Sequence, residues 1–274
     1  MYKKNIRFAL YTDKLRHIAD LYDVFLCDLW GVLYEGDEII FDKALKAIRK
    51  IRARQKKIIF ISNSPNKNID CVDYLNNIGV KSDLFDYALT AGDEAINFLL
   101  KKKEFFGKKV YVIDTNFWHK NKQLDSLYQR VDNIDDSDLL FTLAIPKNIK
   151  DPSFYLSILE VARKKNIPLV NFNDDIYAKQ ADIFHLRPGI LAKKYREMGG
   201  KVYGFGKPEK EFFKKALNLF PQINKSKFIM IGDTEQTDII GAKKVGISSL
   251  LITNSYGLPK IYNGATYFMP KLIW

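Results

Sequence analysis

No run in this chain approaches the roughly 18 uninterrupted apolar residues that a membrane-spanning helix needs. The N-terminal stretch MYKKNIRFALYTDKLRHIAD is charged throughout and lacks the apolar core of a secretory signal. Two cysteines, Cys27 and Cys71, are too few for a disulfide framework and show no metal-ligand spacing, which points to a reducing compartment. Internal repeats, low-complexity tracts and Gly/Ser linkers are also missing, so any second domain must be inserted compactly into the first. These absences exclude a helical membrane protein and a disulfide-stapled secreted scaffold. A soluble, cytoplasmic protein with no membrane partner is expected.

What is present is a large apolar inventory and a strong positive charge. At 274 residues and 47% hydrophobic, the chain can bury a sizeable core. Lysine and arginine number 44 against 32 acidic residues, a formal charge of +12. Such a balance attracts anions. The lysines, however, are spread over helix-like stretches such as KALKAIRKIRARQKK and KEFFKKAL, as on solvated faces. No nucleic-acid partner is expected on charge alone.

Apolar, β-branched runs alternate with amphipathic patterns from end to end. Strands are expected at 23–28, 57–62, 87–90, 109–114, 139–145, 167–172, 201–206, 227–233 and 248–253. Helical periodicity fills the intervals, as in KALKAIRKIRARQ, NIDCVDYLNNIG and KEFFKKALNLF. Strands apolar on both faces and separated by helices imply right-handed crossovers and a parallel sheet. The expected class is α/β.

In open α/β sheets, ligands bind beyond the carboxyl ends of the strands. Asp28 closes the first such strand, in DVFLCDLWGVLYEG. Ser62 closes KIIFIS and leads into the polar turn Asn63, Ser64, Pro65. Lys207 follows KVYGFG and precedes Pro208, a good helix-opening residue. Asp233 closes KFIMIGD, and Asp238 follows where a helix begins. Singly, each has a plain structural use as a turn residue, a cap or a solvated charge. Jointly, carboxylates, a hydroxyl and a lysine at one edge of one sheet suit phosphate chemistry. Carboxylates gather a hard divalent cation, and a lysine offsets their charge and clamps a phosphoryl oxygen. A carboxylate such as Asp28 can then attack phosphorus and form an aspartyl phosphate.

With those residues in place, DVFLCDLWGVLYEG, FISNSP, GFGKPEKEFFKKAL and MIGDTEQTDIIGAKKVGISSLLI resemble, in order and spacing, the motifs of the haloacid dehalogenase-like hydrolases. The similarity spans residues 14–260. It is nearest to the capped subgroup (class IIA) of nitrophenylphosphate, sugar-phosphate and pyridoxal-phosphate phosphatases. It implies a Rossmann-like, doubly wound parallel sheet core, residues 1–92 and 187–274, with an α/β cap inserted at 93–186. By the same resemblance Asp28 is the nucleophile and a Mg²⁺ ligand, with the backbone carbonyl of Trp30, Asp233 and Asp238 as further direct or outer ligands. Ser62 and Asn63 hold the phosphoryl group, and Lys207 neutralises it together with the nucleophile. The implied activity is Mg²⁺-dependent hydrolysis of a small phosphorylated metabolite, a sugar phosphate or similar.

One position departs from the pattern. Related phosphatases have a second aspartate where this chain has Trp30. That aspartate protonates the leaving oxygen and later activates water, a role typically worth ~10²–10⁴ in rate. Tryptophan supplies the backbone carbonyl but no proton. Three consequences stay open from sequence: slow turnover or a leaving group that needs little protonation, an acid borrowed from substrate or cap, or phosphate-ligand binding without turnover, as in a scaffold. The cap is expected to choose the substrate. NFNDD, residues 171–175, resembles an Asn-Pro-Asp segment of related caps, with Asp174 in place of the proline. Arg187, in HLRPGIL, either reaches an anionic substrate or belongs to a rigid hinge with Pro188 and Gly189. Tyr177 and His185 read as packing residues. A homodimer formed through the cap is one expectation, with the apolar strand LLFTLAI either near such an interface or buried in the cap's own sheet.

Overall fold

The computed structural model describes residues 9–36, 39–113, 122–180, 183–253 and 264–274. Strands are numbered along the chain. The first sheet has seven parallel strands in the order β1 (Leu10–Tyr11), β16 (Tyr267–Met269), β15 (Ser248–Ile252), β14 (Phe228–Gly232), β2 (Val24–Cys27), β5 (Lys57–Ser62) and β6 (Tyr87–Thr90). The chain runs outward from β2 through β5 to β6, then returns to β14 on the other side. The order therefore reverses between β2 and β14, the place where open α/β sheets leave a crevice.

The unbroken apolar runs have a direct cause. In β2, Val24 and Leu26 join a cluster with Phe212, Phe213 and Ala216 of one helical layer, while Phe25 and Cys27 join Ala44, Ile48 and Ile51 of the other. The helices supplying those layers are α1 (Asp42–Ala53) and α2 (Asn68–Asn77) on one face. Further along the chain, Lys210–Leu217 and Ile240–Val245 cover the opposite face. Both faces are buried, so alternation of polar and apolar residues has no place in these strands.

The second sheet is also parallel, in the order β13 (Val202–Gly204), β10 (Leu169–Asn171), β9 (Leu139–Thr142), β7 (Lys109–Ile113) and β8 (Gln129–Val131). Helix α3 (Ala91–Lys101) covers one face through Ala95, Ile96 and Leu99. Helices α4 (Leu156–Lys164) and α5 (Gly189–Glu197) cover the other through Leu159, Ala162, Leu191 and Tyr195. Two antiparallel hairpins complete the strands: β3 (Tyr34–Glu35) with β4 (Ile39–Ile40), and β11 (Tyr177–Gln180) with β12 (Ile183–Leu186). Beyond the second sheet, α6 (Lys210–Leu217) and α7 (Ile240–Val245) belong to the first. Among the described residues, no helix is long and apolar enough to cross a membrane.

Two expectations need correction. The strand leading to Lys207 pairs with β10 in the second sheet, so the site groups do not all leave one sheet. For the same reason residues from 187 onward do not return at once to the first sheet, because α5 and β13 pack on and pair with the second. LLFTLAI follows the second of its two readings, burial within its own sheet. Its strand β9 is central, with Leu139, Leu140, Phe141 and Leu143 buried in the sheet's own clusters. Of the expected strand 109–114, Asp114 lies outside the described residues.

Candidate active site

Asp28 leaves the end of β2 at the sheet's reversal point and is almost wholly buried. Its Oδ1 accepts the Leu29 N–H at 2.7 Å and meets the Lys207 ammonium at 2.7 Å. Both contacts fall on one oxygen, so among the described residues Oδ2 has no hydrogen-bond partner. Burial pushes the Asp28 carboxyl up to about 7, Lys207 pulls against it, and the nearby Asp238 adds to the rise.

Lys207 arrives from the second sheet yet ends inside the first sheet's carboxylates, with 1% of its surface exposed. Its Nζ lies 2.7 Å from Asp28 Oδ1 and 2.7 Å from Asp238 Oδ1. Burial alone would lower its pKa, but Asp238, Asp28 and Asp175 outweigh it and hold the lysine charged. Asn63 fixes the backbone that delivers it. The Asn63 Oδ1 accepts the Lys207 N–H at 2.7 Å, while Nδ2 donates to the Lys207 carbonyl at 2.9 Å and to Asp175 Oδ1 at 2.8 Å. Gly206 makes this approach possible: at φ +84°, any Cβ would sit 2.3 Å from Asn63 Oδ1. The Asn63 side chain is thus spent on positioning Lys207 and Asp175, so the expected help in holding phosphate falls to its backbone N–H.

Asp233 follows β14 and Asp238 lies in a π-helical segment, Glu235–Ile239, that opens α7. The Thr234 N–H donates to Asp238 Oδ2 at 3.1 Å, and the Thr234 hydroxyl donates to Asp233 Oδ1 at 3.1 Å. Asp28, Asp233 and Asp238 bring carboxylate oxygens within 4.8 Å of one another. Asp233 Oδ2 is buried with no hydrogen-bond partner. Burial, then Asp28 and Asp238, push the Asp233 carboxyl well above its ordinary value. Three carboxylates against one lysine leave negative charge uncompensated, and an orphaned buried oxygen among them is the signature of a cation site. The residues present therefore fit a hard divalent metal.

The turn after β2 is shaped around Asp233. Gly31 has φ +79°, and a Cβ there would lie 2.0 Å from Asp233 Oδ2. Gly31→Ala should cost about 1–2 kcal/mol in backbone strain alone and push Asp233 out of the cluster. Thermal melts with and without MgCl₂ read both effects: a lower Tm, and loss of the stabilisation by metal expected of the native protein. A variant that keeps the full metal-dependent shift would contradict this account.

These groups open onto a cavity of about 560 Å³. Ser62 lines it and is nearly buried; its Oγ accepts the Ser64 N–H at 3.2 Å, which leaves its proton to donate to a ligand. Trp30 also lines it, half-buried. Its indole N–H donates to the Lys179 carbonyl of β11 at 2.8 Å, and the Arg187 guanidinium lies over its ring at 5.7 Å. Arg187 therefore lines the cavity, through a partner that sequence did not suggest. Tyr177, read from sequence as packing, lines the wall and is 48% exposed, while His185 does not reach it. Asp175 was missed as a site residue, although NFNDD had been singled out as a segment. It lines the cavity with Oδ1 fixed by Asn63, and the Asn173 side chain accepts its N–H at 2.8 Å. Paired aspartates just past a strand end were the available signal.

Comparison with known proteins places this geometry. A family model described as haloacid dehalogenase-like hydrolase matches residues 25–123, and one described as HAD-hydrolase-like matches residues 204–262. No curated protein matches the chain by sequence. Among solved structures, a haloacid dehalogenase-like family hydrolase from Brucella suis is 23% identical, with a TM-score of 0.84 over 96% of this chain and 100% of that one. A 4-nitrophenylphosphatase from Thermotoga maritima is 19% identical, with a TM-score of 0.68 over 93% and 96% of the two chains. A glycerol phosphate phosphatase from Mycobacterium tuberculosis, solved with calcium, is 20% identical, with a TM-score of 0.60 over 85% and 67%.

Proposed function

Because the chain belongs to the haloacid dehalogenase-like hydrolases, we propose that it is a phosphatase that releases phosphate from a small phosphorylated metabolite with the help of Mg²⁺. The observation that carries this reading is the buried lysine bridging Asp28 and Asp238 beside the unpartnered Asp233 oxygen. The named substrates of the structural neighbours, nitrophenyl phosphate and glycerol phosphate, support a monoester of modest size. Two free, buried cysteines are in keeping with a cytoplasmic setting.

In this mechanism Asp28 is the nucleophile, its free Oδ2 attacking phosphorus. Ser62 and Lys207 bind phosphoryl oxygens, and Lys207 also opposes the rise that burial imposes on the Asp28 carboxyl. Asp28, Asp233 and Asp238, with the Trp30 carbonyl, would hold the divalent cation. When bound, the cation neutralises the phosphoryl oxygens and the carboxylates that face them. The Asn63 side chain holds Lys207 in register, and its backbone N–H helps Ser62 hold the phosphoryl group.

A panel of phosphate monoesters, assayed after chelation and after adding Mg²⁺ back, tests the reading. Phosphate release should require the metal. A panel left intact with every divalent cation would refute it. The raised carboxyls add a pH signature. Metal must displace protons from Asp28 and Asp233, so Mg²⁺ affinity should climb as pH rises through 7, by about tenfold per unit for each proton displaced. Calorimetry in buffers of different ionisation enthalpy should show proton release on binding, and pH-independent affinity without it would contradict the assignment.

A further inference from the structure

Trp30 leaves the reaction without its usual acid and base, and the cavity contains a carboxylate that the mechanism above does not use. The acidic residues among its lining are Asp28, Asp233 and Asp175. Asp28 is the attacking group and Asp233 faces the metal cluster, which leaves Asp175. Its Oδ1 is anchored by the Asn63 amide, and its backbone is held at both ends, by the Asn173 side chain on N–H and the Gly189 N–H on its carbonyl at 3.0 Å. Among the described residues Oδ2 has no hydrogen-bond partner, and the residue is only half-buried. One oxygen fixed and the other free beside the reaction centre is the arrangement a proton-transfer group needs. The hydroxyls that also line the cavity are phenols (Tyr34, Tyr74 and Tyr177) or aliphatic alcohols (Ser62, Ser64 and Thr234), neither of which is a general base of the carboxylate kind.

We propose that Asp175, contributed by the loop after β10, is the general acid and base of this active site in place of the residue at position 30. This rests on the phosphatase reading. In the first step Asp28 Oδ2 forms a bond to phosphorus as the ester P–O bond breaks. The leaving oxygen takes the Asp175 proton and departs as an alcohol, so Asp175 becomes a carboxylate. In the second step water gives a proton to Asp175 while its oxygen attacks phosphorus. The bond to Asp28 breaks, phosphate leaves, and both aspartates return to their starting states. Burial raises the Asp175 carboxyl above its ordinary value. Lys207 and Arg187 lower it, the Asn63 hydrogen bond also lowers it, and Asp238 raises it. Asp28 and Asp174 are further carboxyls close enough to feel its charge.

The test uses the full-length protein with Mg²⁺ and a series of phosphate esters from nitrophenyl to alkyl. Asp175→Asn keeps a carbonyl for Asn63 but no proton. It should lower kcat for alkyl phosphates by roughly 10²–10⁴-fold. With nitrophenyl phosphate it should keep a burst of nitrophenolate, followed by slow turnover, because only the water step still lacks a base. Trp30→Asp introduced into Asp175→Asn should restore steady turnover, and Asp175→Glu should retain part of it. A loss equal for every ester, without a burst and without rescue, would show that Asp175 only props up Asn63, and the proposal would fall alone. A native protein inert towards the whole series would sink the phosphatase reading and this proposal together.

Discussion

Asp28→Asn should abolish turnover, by on the order of 10⁴- to 10⁶-fold as for loss of other enzymic nucleophiles, without weakening the fold. The side chain keeps its shape, and an amide oxygen at the Oδ1 position can still accept the Leu29 N–H. What disappears is the anionic Oδ2 that attacks phosphorus. The stability argument runs in the opposite direction from the activity argument. In the native protein Asp28 is buried beside Asp233 and Asp238, and its carboxyl is raised because that charge is unwelcome there. Removing one of three crowded carboxylates while Lys207 keeps Asp238 relieves that conflict. Denaturation should show equal or greater stability in the metal-free variant, a common exchange between function and stability at active sites. Phosphate release from any ester at a native rate would remove Asp28 from the nucleophile's role.

Lys207→Met should be among the most damaging single changes to stability. Methionine matches the stem but leaves Asp28 and Asp238 buried without their shared cation. Breaking a buried pair by removing one partner costs about 3–5 kcal/mol. The pH dependence identifies the cause. Without the lysine nothing offsets the burial that raises the Asp28 carboxyl, so it rises further above its value in the unfolded chain. Groups raised in this way favour folding when protonated and oppose it when ionised. The deficit relative to the native protein should therefore be largest above neutral pH and shrink as pH falls through the raised carboxyl range. Urea denaturation at pH 5 and pH 8 makes the comparison. A deficit constant across that range would mean that packing of the lysine stem, rather than its charge, holds the site.

The long central strands were legible because both their faces are buried, which writes an unbroken apolar run such as VFLC or FIMIG into the chain. Strands with little to bury were not legible. Gln129–Val131 lies at a sheet edge, and Tyr177–Gln180 pairs only with its hairpin partner, so neither carries a period-two apolar signal. Val202–Gly204 was found as a strand but given to the wrong sheet. Its three residues are all half-buried, and nothing in a strand's composition names its neighbour. At the site, Asp28, Ser62, Lys207, Asp233 and Asp238 stood out because each follows a readable strand or opens a readable helix. Asp175 did not, because its meaning depends on Asn63, 112 positions away. Position 30 showed the opposite limit: the chain revealed what tryptophan removes, and only the fold revealed what its indole touches.

That indole contact is asymmetric in a way that bears on how the sequence can drift. The Trp30 N–H is received by a main-chain carbonyl, which every residue type carries. The bond therefore asks nothing of the side chain at 179, whereas at 30 it asks for a ring nitrogen at a particular reach. As far as this bond is concerned, a change of side chain at 179 is neutral, while a change at 30 breaks it. A lineage that replaced the tryptophan with aspartate would gain a carboxyl at position 30 and give up this tie to the hairpin in the same substitution.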